Sequence, residues 1–161
     1  MAKYRANLTP ATTTQVNAGT SEVLAVTPDS LAGSYAGTKT LEAVAIDFTT
    51  AMTTGDGKGY FTIPQALGGM DLVKVHARVI TAGTTGTCSI QIANVTQAVD
   101  MLTTKITIDS AETGSDTAAT PAVIDTANDD VASYDVLRVD VDTIHTVAAL
   151  GLIITLEFRL P

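Results

Sequence analysis

The chain changes rhythm at Leu41. From there on, apolar side chains recur at every second position, which marks strands with one face buried and one solvated. In "AVAIDFTTA", Val44, Ile46 and Phe48 are spaced by two. In "LVKVHARVI", Val73, Val75, Ala77 and Val79 share one face, and Lys74, His76 and Arg78 share the other. "CSIQIANV" sets Cys88, Ile90 and Ile92 in phase, and "TKITID" repeats the alternation with Ile106 and Ile108. "VLRVDVDTI" turns Leu137, Val139 and Val141 inward, with Arg138, Asp140 and Asp142 outward. The last run, "LIITLEFRL", turns Leu152, Ile154, Leu156 and Phe158 inward, with Thr155, Glu157 and Arg159 outward.

Turn signals separate these runs. "GDGKGYFTIP" reads as a tight Gly-rich turn entering a strand that Pro64 stops. "TAGTTGT" reads as the loop of a hairpin whose returning strand is "CSIQIANV". "SAETGSDTAATP" is a further loop, ahead of "AVIDTANDDVASYD". Seven or eight strands therefore fill residues 41–161, with no long amphipathic helix among them. One buried face per strand implies antiparallel pairing, and two such sheets make a β-sandwich or jelly roll. The expected fold class is all-β.

Residues 1–40 follow another logic. They are rich in Thr, Ala and Gly, with few large apolar groups. "LTPATTTQVNAGT" can start a short helix after Pro10 and close it near Gly19. Thr27-Pro28 suits an N-cap followed by Pro in the first turn, Asp29 complements the helix dipole, and Gly33 ends the helix. Two helices this short do not stand alone in water and need a partner surface. The division expected is an N-terminal arm over 1–40 and a sandwich over 41–161.

The chain of 161 residues can bury a real core. Only 4% of it is aromatic, so that core must be built from small and β-branched side chains. The net charge of −8, with nine scattered Lys and Arg, argues against nucleic-acid binding. The opening "MAKYRANLTP" lacks the apolar core of a secretory signal, and no apolar run is long enough for membrane insertion. Synthesis in a cytoplasm is expected. Cys88 is the one cysteine and sits on an apolar face, so it reads as a buried small hydrophobe.

Candidate chemistry is sparse. His76 lies on the polar side of its strand, His145 lies in a loop, and no G-x-S-x-G elbow accompanies them. Asp125, Asn128, Asp129, Asp130 and Asp135 gather oxygen ligands of the kind Ca²⁺ takes, but without the EF-hand register; turn-forming Asx residues are the simpler reading. "GDGKG" lacks the spacing of a phosphate loop. Asp140, Asp142 and Glu157 supply carboxylates for glycoside cleavage, with few aromatics for sugar stacking, since Tyr4, Tyr35, Tyr60 and Tyr134 are spread out. Asn94-Val95-Thr96 matches a glycosylation triplet by chance. Neither enzymatic activity nor a cofactor is expected.

The segment "ATTTQVNAGTSEVLAVTPDSLAG", Ala11 to Gly33, resembles a short module of tailed-phage fibre proteins. Ala11-Thr12, Gly19-Thr20, Ala25-Val26-Thr27-Pro28 and Leu31 fill its positions in order. "GKGYFTIPQALGGMDLVKVHA", "TQAVDMLTTKITID" and "PAVIDTANDDVASYDVLRVDVD" are similar to β-rich domains of phage virion proteins. The resemblance implies a homotrimer on the virion surface. It has one copy of the module and no shaft repeats, which suits a capsid decoration or head-fibre protein. Attachment to the major capsid protein, or to another virion protein, and trimerisation would then run through Val23, Leu24, Val26, Pro28 and Leu31. The alternative is a tail-fibre or fibre-tip protein that binds a host-surface glycan or protein.

Overall fold

A computed structural model describes residues 9–19 and 24–161. Its strands are β1 (Lys39–Ala51), β2 (Gly55–Thr62), β3 (Met70–Arg78), β4 (Cys88–Asn94), β5 (Val99–Asp100), β6 (Leu102–Thr104), β7 (Ile106–Ile108), β8 (Val123–Ile124), β9 (Asp130–Val131), β10 (Val136–Thr143) and β11 (Leu150–Arg159). All pair antiparallel. One sheet runs β1-β11-β3-β9; the other runs β2-β10-β4, with β5 and β7 both along the outer side of β4. A small ladder joins β6 to β8. Counting β5–β7 as one interrupted strand and β8–β9 as another leaves eight strands, ordered 1-8-3-6 and 2-7-4-5. That order is a jelly roll, an antiparallel β-sandwich.

The core fills the space between the sheets with the residues alternation pointed inward. Leu137, Val139 and Val141 from β10 meet Leu152, Ile154, Leu156 and Phe158 from β11, together with Cys88, Ile90, Ile92, Ile106 and Ile108. Apart from Phe158, these side chains are branched or small, as the low aromatic content requires.

Three expectations change. β3 and β4 do not form a hairpin: they lie in different sheets, and residues 79–87 cross from one to the other. In β1, Val44 and Phe48 point out and are about half exposed, while Leu41, Ala43, Ala45 and Ile46 pack on the core. A register shift between Val44 and Ile46 switches the phase there. Residues 55–59 are not a separate turn but the start of β2. Gly57 has φ 72°, its N–H donates to Asp140 Oδ1 at 2.8 Å, and a Cβ on Gly59 would meet that of Ala45 at 2.8 Å. Backbone this close to a neighbouring strand explains the glycines.

The two short helices form where expected, and β1 begins at Lys39. Helix α1 (Thr13–Ala18) follows Thr12, and α2 (Pro28–Ala32) follows Thr27, each with a reciprocal capping box, to Gln15 and Ser30 respectively. Gly19 closes α1 in the left-handed conformation. Ala11 N donates to Ala25 O at 2.8 Å, Ala25 N to Thr9 O at 3.1 Å, and Tyr35 N to Asn17 Oδ1 at 2.7 Å. Among the described residues the arm is thus tied mainly to itself. One side-chain bond, Arg159 Nη1 to Gly33 O at 3.2 Å, fastens it to the end of β11.

Candidate interaction surfaces

The expected attachment residues lie on this arm. Val26 is 56% exposed and Leu31 44% exposed, Pro28 opens α2 at the surface, and Leu24 is half-buried. Val23 falls outside the described residues. Leu24 and Val26 border a dent of about 110 Å³ with Ala11, Gln15 and Val16, too small for an ordinary ligand pocket. Tyr35, immediately after α2, is also exposed. Single exposed apolar residues are common, but several on one weakly tethered element form a surface suited to protein contact.

The candidate chemical groups are dispersed and mostly engaged. Asp140 is nearly buried: Arg138 grips it with Nε at 2.7 Å and Nη2 at 2.8 Å, and Gly57 N–H donates to it as well. Asp142 pairs with Lys105 at 2.9 Å. Glu157 lies in the other sheet and faces Lys74 at 3.6 Å. Asp125 accepts from Ala127 N at 3.1 Å and Asn128 Nδ2 at 2.8 Å, as a turn-forming Asx residue does. Among the described residues, no three His, Cys, Asp or Glu side chains converge to hold a metal ion.

Asp135 is buried and accepts from Asn94 Nδ2 at 2.8 Å, Gln97 Nε2 at 2.7 Å and Ala132 N at 2.9 Å. Burial pushes its carboxyl up, but these three donors together outweigh burial and hold it below the usual 3.8. Asn94 is itself fully buried in this knot, so it is not placed to accept a glycan. His145 is also buried, with Nε2 3.1 Å from Ile108 O and Nδ1 without a partner among the described residues. His76 Nε2 meets Asp116 Oδ1 at 3.3 Å. That contact is the first cause holding the Asp116 carboxyl below its ordinary value.

The sequence reading missed a groove of about 760 Å³ beside β3. Its walls include Leu72, Val75 and His76 from the strand, with Pro121 and Val123 opposite. No motif announces it, because it arises where a strand fails to pair. Pro121, which cannot donate to a ladder, is the one wall residue whose type marks unpaired chain in the sequence.

No protein-family model, no curated protein and no solved structure matches this chain. No described helix is long and apolar enough to cross a membrane.

Proposed function

We propose that the protein is a structural component of a tailed-phage virion, a homotrimer that decorates the capsid surface and grips the shell through its N-terminal arm. The arm carries this reading. It resembles the fibre module from Ala11 to Gly33, and it presents Val26, just ahead of α2, and Leu31, within it, outward beside helices too short to be stable unsupported. The jelly roll is compatible, being an architecture of capsid and lectin domains alike, and by itself it does not select a function.

The test is co-sedimentation of the full-length protein with purified virion capsids. Saturation at a fixed ratio is expected, with light scattering giving three times the chain mass. A variant carrying Val26→Asp and Leu31→Asp should lose capsid binding by about a hundredfold while its melting temperature stays within a few degrees, because both residues are surface-exposed. Labelling of host cells by the fluorescent protein, with no capsid binding, would replace this reading with a fibre-tip receptor binder.

A further inference from the structure

In a jelly roll the sixth strand runs along the third. Here that strand is split. β9 pairs with only Met70 and Asp71 of β3, and Leu72 N then donates to Asp129 O at 2.8 Å. At the other end of β3 a loop takes over. Ala77 N donates to Ser115 Oγ at 3.0 Å, and Ser115 N donates to Ala77 O at 3.0 Å. Between these two clamps the chain leaves β3, and β8 pairs with β6 instead. The groove of about 760 Å³ is the place left open.

Val75 sits in the middle of that opening. In an antiparallel ladder, alternate residues direct their N–H and C=O to opposite neighbours. Ala77 directs both toward Ser115, away from β11, and the register runs unbroken from Ala77 to Val75. Val75 therefore aims its N–H and C=O into the groove, where neither has a partner among the described residues. Side chains from both faces of β3 line the opening, as they do around a vacant strand position.

The carboxylates at one end lack ion-pair partners among the described residues. Asp129 lines the groove, and Asp71 and Asp130 stand directly opposite each other in the ladder. None of the three has an ion-pair partner among the described residues. Lys74 and Arg159 also line the groove, but Lys74 faces Glu157 at 3.6 Å, and Arg159, in register with Asp71, turns its guanidinium to Gly33 O. Burial first, and then Asp129 and Asp130, push the Asp71 carboxyl above its ordinary value. These carboxylates do not converge on a metal site. The complement they lack is a cationic side chain arriving beside the open backbone.

We propose that the slot beside β3 receives an extended, Lys- or Arg-bearing peptide segment of a partner protein, which adds to β3 as a strand. Backbone bonds to Val75 supply the pairing, and the basic side chain answers Asp71, Asp129 and Asp130. No described arm residue lines the slot, so the inference stands apart from the capsid reading.

Two measurements on the full chain test it. By amide hydrogen exchange, Val75 should exchange about a hundredfold faster than His76, whose bonds go to β11. A displayed library of random linear heptapeptides is then selected on the protein. Enriched peptides should carry Lys or Arg, slow exchange at Val75 at least tenfold, and be lost with Val75→Pro, which removes the free N–H without breaking a ladder bond. Val123→Trp, filling the slot from its exposed far wall, should have the same effect without altering β3. The inference is overturned by equal protection of Val75 and His76, by no enrichment, or by enriched peptides without basic residues. It is overturned too if Val75 protection rises with protein concentration alone, since the occupant is then a second copy of the chain.

Discussion

Asp135 shows how much one carboxylate can hold. Its three donors come from β4, from the turn after β4, and from the turn between β9 and β10. Removing it strands the fully buried Asn94 amide and frees Gln97 and the Ala132 N–H at the rim, so Asp135→Ala should cost about 2 kcal/mol in urea denaturation. The pH dependence follows from the depressed carboxyl. Its contribution is full above the unfolded value and disappears as pH falls through the lower folded one. Asp71 works in the opposite sense: its raised carboxyl is a penalty above the folded value, relieved as pH falls through it. Asp135→Asn should therefore flatten the loss of stability below about pH 4, measured by denaturation at a series of pH values. None of this was legible in sequence, where Asp135 was one of several acidic loop residues. Asp140 was read as solvated because strand alternation reports the face, not what Arg138 and Gly57 lay over it.

At the scale of elements, legibility followed the length of unbroken alternation. β4, β10 and β11 were read correctly in phase, because each keeps one face on the core from end to end. β1 was read out of phase, because a bulge and two inward alanines, Ala43 and Ala45, hide the buried face from a pattern that counts large residues. β5, β6, β8 and β9 have two or three residues each, too few to show a period. The caps of α1 and α2 were legible, since capping chemistry is local. What ties the arm down was not, because Arg159 is more than a hundred residues from Gly33. Arg159→Ala should raise the rate of proteolysis within residues 20–38 about tenfold while leaving the melting temperature of the sandwich within a few degrees, as expected when a local unit loses its tether.

For the whole molecule, the strands were foreseeable and their order was not. A short loop such as residues 79–87 is as compatible with a hairpin as with a crossing between sheets; the deciding contacts are distant in sequence. Those distant pairings also make folding cooperative and slow. Cys88 can report it: the one thiol is fully buried, and burial pushes it up to about 12. A thiol reagent in excess should label it at a rate independent of reagent concentration, set by global unfolding; labelling that scales with reagent would mean β4 opens locally. The Arg159–Gly33 bond finally gives the sandwich a polarity. It puts the arm at the pole where β11 ends, beside the start of β3. At the opposite pole, Thr84 bridges Val147 and Met52 N meets Ala149 O. The ten residues of β11 span about 30 Å between the poles. If the arm grips a partner as proposed, the 79–87 and 144–149 loops lie at the far end from it, so cargo grafted at Thr85–Gly86 would be displayed outward, while cargo fused after Pro161 would lie on the arm's side.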